Sequence, residues 1–346
     1  MRPHLVLSTG LVLAIVACGT EPSPTEPETL ISSSTAAADL AANTWTQREP
    51  HRLGTLLGVS VGVLPNPAGQ SVVYGFGGCD IVGGSGSQCT VSGIGIYNVV
   101  TGAWSRDNEF QAAVWQGNGV GAIGGKLYLS GGYPTHDETD GMSPRFWAYE
   151  PATGQATQLA DMPRATAEGV TGVIDGKLYV LPGACDSNRW PQPGFCEVEE
   201  IRRLYRYNPA TTKWASRKLA PHFHRGGAAG VIGGKLYVAG GVKGFQPLAD
   251  LDVYDPATDT WKTLAPVPKG GRANGTALAG KLYVVVGRDA YVYNPGTNRW
   301  SAIAQPATGH EGVVRVVIDG KPRLLAIGGV QGVHFDEPTN IEVYTP

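Results

Sequence analysis

One unit recurs along this chain, and its recurrence restricts the fold more than any other feature. It runs Gly233-Gly234-Lys235-Leu236-Tyr237-Val238-Ala239-Gly240-Gly241 and continues as Val253-Tyr254-Asp255-Pro256-Ala257-Thr258-Asp259-Thr260-Trp261. The first half returns at Gly125-Lys126-Leu127-Tyr128, Gly176-Lys177-Leu178-Tyr179, Gly280-Lys281-Leu282-Tyr283 and Gly320-Lys321. The second half returns as Tyr97…Trp104, Tyr207…Trp214 and Tyr293…Trp300, with the same spacing each time. One unit departs, because Tyr149 leads to Ala156 and not to Trp. At the end, Tyr344-Thr345-Pro346 stops before any Trp, while Asn43-Thr44-Trp45 offers one near the start. Tyr97, Tyr149, Tyr207, Tyr254, Tyr293 and Tyr344 therefore mark six units over residues 43–346, about 51 residues each.

Each unit reads as four short strands. A Gly/Ala/Val-rich strand turns at Gly-Gly or Asp-Gly, the signal of a primed hairpin, into Lys-Leu-Tyr-Val. A third strand ends at a Tyr-x-Pro-x-Thr turn, and Trp opens the fourth. Small residues on the first strand suit the crowded axis of a radial array, and Tyr and Trp suit the wider gaps further out. With 49 Gly, 14 Tyr, 8 Trp and only 3 Met, the composition agrees with many short strands and excludes a long helical protein.

The glycine pair, the tyrosine and the Trp seven residues later resemble the kelch-repeat family of β-propellers, and the match runs through essentially all of residues 43–346. The resemblance implies an all-β, six-bladed kelch-type propeller. Its ring would be closed by the N-terminal strand near Trp45 joining the last blade beside Ile341 to Tyr344, which hides the sheet edges. It implies no single function, since kelch propellers include enzymes and pure binding modules.

Ahead of the repeats, Arg2, the apolar stretch Leu5–Ala17 and Ile15-Val16-Ala17-Cys18 read as a lipoprotein signal peptide over 1–17. The apolar stretch is too short to span a bilayer. The ending resembles a bacterial lipobox, with Cys18 as the acylated residue; an ordinary cleaved signal with an incidental cysteine is the alternative. Residues 18–42, rich in Pro, Ser, Thr and Ala, cannot form a core and read as a tether. The expected location is a bacterial cell envelope, with the lipid anchor as the chain's membrane contact. Of five cysteines, Cys18 aside, the remainder fall into two local pairs, Cys79 with Cys89 and Cys185 with Cys196. In an exported chain they read as two disulfides, each closing one loop. A zinc site is the competing reading, against which stands the lack of any CxxC or adjacent His cluster.

Lys and Arg number 27 against 29 Asp and Glu, a net charge of −2, and 16% of residues are charged. That balance offers no basic field for a phosphate backbone, so nucleic acid is not an expected partner. No cofactor or metal is expected either, and the propeller is expected to be a monomer.

Two kinds of position stand out as candidate sites. The links between second and third strands, and from blade to blade, leave one face and are long: Cys79 to Gly93, Tyr133 to Arg145, Ala184 to Ile201, Val242 to Asp250 and Val330 to Asn340. Loops held on a rigid scaffold are where binding surfaces are usually built. The fifth unit has a minimal link, Gly287-Arg288-Asp289-Ala290, which leaves a notch. Unusual polar residues also collect where each chain segment enters the channel: Trp115 and Asn118, Arg164 and Glu168, His222, His224 and Arg225, Lys269 and Arg272, His310 and Glu311. His51 and Arg52 are the first-unit equivalents, and Arg315 is an exception among the small residues of the innermost strands. Each has a structural reading beside the functional one, since Arg at a blade junction also pairs with carbonyls or a neighbouring carboxylate. Trp115 and Trp190 suit either ligand stacking or packing. The acidic stretch at His136 to Asp140 reads as a solvated loop.

No Gly-x-Ser-x-Gly elbow, HExxH or P-loop occurs. The copper oxidases of the kelch superfamily need a Cys-linked Tyr with a His pair, and the cysteines here are assigned to disulfides. The expected function is thus an envelope-anchored binding module that captures a glycan, peptide or protein through its loop face. The alternative is a sugar mutarotase or epimerase similar to exported kelch proteins that interconvert sialic acid anomers. Glu168 or Glu311 would be its acid/base group, and Arg164, Arg225 and Arg272 would hold a carboxylate.

Overall fold

A computed structural model describes residues 42–51, 58–77, 93–107, 110, 116–134, 141–185, 199–328 and 339–346. Among these residues, six four-stranded antiparallel sheets follow one another in the chain. The first blade is Ser60–Pro65, Ser71–Phe76, Ile94–Asn98 and Trp104–Asp107, and the second is Val120–Ile123, Lys126–Ser130, Phe146–Glu150 and Gln155–Gln158. The third comprises Val170–Ile174, Lys177–Leu181, Arg203–Asn208 and Lys213–Leu219; the fourth comprises Ala228–Ile232, Lys235–Ala239, Leu251–Asp255 and Thr260–Thr263. Asn274–Leu278, Lys281–Val286, Asp289–Asn294 and Arg299–Ala302 form the fifth. The sixth takes Gly312–Ile318, Lys321–Ile327 and Thr339–Thr345 from the C-terminal end and its outer strand, Thr44–His51, from the other. Trp45 pairs with Tyr344 there, as the repeat count requires. Each innermost strand packs on the next, and Gly312–Ile318 packs on Ser60–Pro65, which closes a six-bladed propeller.

The core lies between the sheets. Six apolar clusters each draw buried residues from two neighbouring blades, for example Tyr179 and Leu181 of the third with Leu236, Val238 and Tyr254 of the fourth. Burying one such side chain contributes about 1.5–3 kcal/mol. The leucine of each Lys-Leu-Tyr explains the glycine on the innermost strand behind it. A Cβ on Gly62, Gly121, Gly172 or Gly230 would collide with Leu127, Leu178, Leu236 or Leu282 of the following blade. The repeated Trp also ties blades together. Trp214, Trp261, Trp300 and Trp45 each donate the indole N–H to a carbonyl of the preceding blade's outer edge: Ala160, Lys218, Ala265 and Ala304, at 2.7–3.2 Å.

Candidate functional site at the channel mouth

Where the chain enters each innermost strand, left-handed backbone recurs: Gly58 (φ 64°), Gln116 (51°), Glu168 (53°) and Gly226 (60°). That conformation turns an N–H toward one neighbouring blade and a carbonyl toward the other. Gln116 N donates to Gly58 O at 2.9 Å, Glu168 N to Gln116 O at 2.8 Å, Gly226 N to Glu168 O at 2.8 Å and Ala273 N to Gly226 O at 2.8 Å. Side chains complete the circuit. Asn274 Nδ2 donates to His310 O at 2.7 Å, and Gly58 N donates to Glu311 Oε2 at 3.4 Å. Every seam at the channel mouth is thereby crossed by a hydrogen bond. Left-handed backbone costs a residue with a Cβ about 1–2 kcal/mol, so Gln116 and Glu168 hold their places against strain, as residues at functional sites often do.

Glu168 is only 5% exposed and carries the charge of the site. Arg225, also buried, donates Nε and Nη2 to its Oε1, the first at 2.8 Å. Arg272 leaves the start of the fifth blade, passes over Gly226 of the fourth and pairs through Nη2 with Oε2. Gly226 leaves room for that crossing, since a Cβ there would lie 2.9 Å from Arg272 Nη1. One carboxylate thus takes two guanidinium groups, Arg225 within the blade seam and Arg272 from a side chain that is 53% exposed. The second carboxyl at the mouth, Glu311, has its pKa raised by burial; the Gly58 N–H and the Arg272 charge work against that shift, and the Glu168 charge adds to it. Glu168, Glu311 and Arg272 line one cavity of about 790 Å³ along the channel, together with Gln116, Asn274 and the small residues of the innermost strands.

The two histidines buried among the described residues serve the frame. His224 places Nδ1 on Gly240 O at 2.8 Å and Nε2 on Asp252 Oδ2 at 3.1 Å. His310 repeats the pattern with Gly328 O at 3.2 Å and Glu342 Oε2 at 2.6 Å. In each, one ring nitrogen meets a backbone carbonyl and the other a buried carboxylate, which fixes the ring's orientation. Asn118 instead ties the second blade to the third, donating to Ser130 O and Thr166 Oγ1 and accepting from Gly169 N.

The other sequence candidates do not join this group. Arg288 is exposed, with Nε directed at Pro306 O at 3.4 Å. Arg164 is half-buried, its charge felt by Glu200 and Tyr205. Lys269 pairs with Asp289, and His222 with Asp250 and Asp252. Arg315 is exposed. His51 is described through its backbone, which pairs with Thr339, and Cys185 through its place in the strand Ala184–Cys185. Cys18, Arg52, Cys79, Cys89, Trp115, the stretch from His136 to Asp140, Trp190 and Cys196 lie outside the described residues. Among the described residues, no three His, Cys, Asp or Glu side chains come together to hold a metal ion.

Sequence reasoning missed Gln116 and Asn274, the carboxylates behind the histidines, and Phe245. The last tops a hairpin of Val242–Lys243 and Gln246–Pro247 and is 93% exposed. Gly244 (φ 57°) makes the turn, and Val242 N donates to Arg225 O at 2.9 Å. Arg225 therefore fixes the hairpin with its backbone while its side chain holds Glu168. An apolar residue among Gly, Gln and Pro in a long link was the available signal.

Comparison with known proteins agrees with this architecture. A family model described as Kelch motif matches residues 224–268, which contain the fourth blade. Kelch-like protein terF of Aspergillus terreus is 27% identical over 259 residues, covering 65% of this chain and 53% of that protein. Kelch-like protein 35 of Mus musculus is 24% identical over 246 residues, covering 67% and 39%, and Kelch-like protein 23 of Homo sapiens is 27% identical over 236 residues, covering 64% and 38%. The chain thus spans about half or less of the length of these relatives. The solved structure of YjhT superposes with a TM-score of 0.64 at 17% identity, covering 85% of this chain and 95% of that one, a likeness of fold. With the Kelch motif matched across its fourth blade, and the same turns and strand order carried around the ring, the chain is a six-bladed β-propeller similar to the kelch-repeat proteins.

Proposed function

We propose that this propeller is a binding module that captures a protein partner on the face carrying the long links, tethered to a bacterial envelope through Cys18. The observation that carries the reading is Phe245, an almost fully exposed aromatic on a hairpin braced against the channel mouth. Exposed rigid aromatics on an anchored backbone are the residues that dominate binding energy once covered. Arg225 and Arg272 favour the same reading, because both are engaged with Glu168 and do not form an open pair for a substrate carboxylate. A photo-crosslinking residue at position 245 of the full chain, in the producing cell, is expected to trap one discrete protein that Lys213 on the third blade's outer strand does not. Phe245→Ser should leave the melting temperature unchanged and abolish that partner's binding. Equal crosslinking from both positions would refute the reading. Fatty-acid labelling lost in Cys18→Ser tests the anchor separately.

The sugar mutarotase or epimerase reading rests on Glu311, a carboxyl of raised pKa in the channel. It requires that the full chain speed anomer exchange of an acidic sugar by NMR and that Glu311→Gln stop it.

A further inference from the structure

Among the described residues that line the channel mouth, the buried side-chain atoms without a hydrogen-bond partner are acceptors. Gly58 joins Glu311 and Gln116, giving its N–H to the Glu311 carboxylate Oε2 at 3.4 Å and accepting the backbone N–H of Gln116 at 2.9 Å. Gln116 Oε1 is buried and, among the described residues, meets no hydrogen-bond donor. Glu311 holds the long Gly58 bond from within a desolvated pocket. Both line the cavity of about 790 Å³, which has room for far more than a water molecule. Net charge does not decide what enters, because Glu168 and Glu311 balance Arg225 and Arg272. The donors that Arg272 does not spend on Glu168 sit on a half-exposed side chain open to solvent, whereas the Gln116 oxygen is shut away from it.

We propose that the arc Glu311–Gly58–Gln116 is a receptor for a guanidinium group. A planar guanidinium carries five N–H donors and no acceptor. Two of them fit a carboxylate in parallel, which suits Glu311, and a third would reach Gln116 Oε1 once that side chain turns toward the cavity. The inference stands apart from the Phe245 reading: a free guanidine tests it without any partner, and either can fail alone.

The experiment is calorimetric titration of the full chain with Nα-acetyl-arginine amide, and with the citrulline analogue, which keeps the shape and loses the charge. The arginine compound is expected to bind at least about tenfold more tightly, the worth of one charge-assisted hydrogen bond. Glu311→Gln should remove that preference, while Arg288→Ala, on the exposed rim, should not. Gln116→Asn tolerates the left-handed backbone, shortens the reach and should weaken arginine binding severalfold. It supplies the answer if Glu311→Gln does not fold. Equal affinity for the two compounds, or competition by acetate in place of guanidine, would overturn the proposal. Ethylguanidine binding as tightly as the capped residue would support the receptor and mark a small-molecule ligand. A gain on embedding the arginine in a peptide would support it and mark a partner side chain.

Discussion

Asp107 of the first blade accepts the phenolic hydrogen of Tyr149 in the second at 2.7 Å. In three other blades the same hydroxyl finds its acceptor two residues before the repeat Trp: Asp259 for Tyr254, Asn298 for Tyr293 and Asn43 for Tyr344, at 2.6–3.0 Å. Each of those acceptors is left-handed and also takes a backbone N–H from the preceding blade. The second blade has Gly154 at that position, and Asp107 Oδ2 comes within 3.6 Å of where its Cβ would stand. Phe110 adds a ring edge-on to Tyr149 and Trp147, where other blades set Tyr against their own Trp. The blade that lacks the repeat Trp is held by groups from its neighbour.

Asp107→Ala should therefore cost about 1–3 kcal/mol, since it leaves the buried hydroxyl of Tyr149 without its acceptor. Gly154→Asn, at a left-handed position that Asn tolerates, should restore most of that loss in the double variant. Urea denaturation of the single and double variants measures both effects. A neutral Asp107→Ala would mean that the bond contributes nothing.

The same contrast shows what was legible beforehand. Repeat count, ring closure at Trp45 and the hairpin turns are local patterns copied several times, so they could be read from spacing alone. The clustering of polar residues near the channel was also legible, but their partners were not. His224 and His310 meet carboxylates 28 and 32 residues downstream, on a different strand of the same blade. The usable signal was joint: the blades with those histidines are also the ones with an acid two residues before the repeat tyrosine, at Asp252 and Glu342. Gln116 gave no such signal, because its role depends on a backbone conformation that glycine adopts at Gly58 and Gly226.

Ala279 is out of place in an otherwise consistent turn. It takes φ 49° at the exposed first position of the fifth blade's hairpin, where Gly124, Asp175, Gly233 and Asp319 stand in other blades. Ala279→Gly or Ala279→Asn should stabilise the propeller by about 0.5–1 kcal/mol, relieving the cost of a Cβ in that region. Asp175→Ala should go the other way. Unchanged urea midpoints in all of these variants would contradict the argument.

Acid should loosen the fourth and sixth blades first. Burial pushes the carboxyls of Asp252 and Glu342 up, but hydrogen bonds and charge from His224 and His310, with Thr263 and the backbone of Ala307 and Thr308 assisting, outweigh it and leave both pKa values lowered. A carboxyl lowered on folding stabilises the folded state above its ordinary value, and that contribution is lost as pH falls through the lowered one. Unfolding free energy should accordingly drop as pH falls below about 4, the ordinary carboxylate range. Glu342→Gln should be less stable at neutral pH and show a shallower acid slope. An unchanged slope would mean that the pair does not set acid stability.

Glu168 and its two arginines should prove unequal partners. Removing the carboxylate with Glu168→Ala strands the buried Arg225 and should cost about 3–5 kcal/mol, the usual penalty for breaking a buried pair from one side. Arg272→Ala removes a half-exposed side chain from a carboxylate that keeps both hydrogen bonds from Arg225, so its cost should stay within about 1 kcal/mol. Arg225→Ala should resemble Glu168→Ala, because the carboxylate would then face the channel with Arg272 alone. The double variant Glu168→Ala/Arg225→Ala should cost clearly less than the two single losses added together, since neither charge is left without its partner. Chemical denaturation of the four variants gives the coupling directly. Strict additivity would mean that the pair is incidental, and a large loss in Arg272→Ala would make the crossing strap, not the seam pair, the structural centre of the channel mouth.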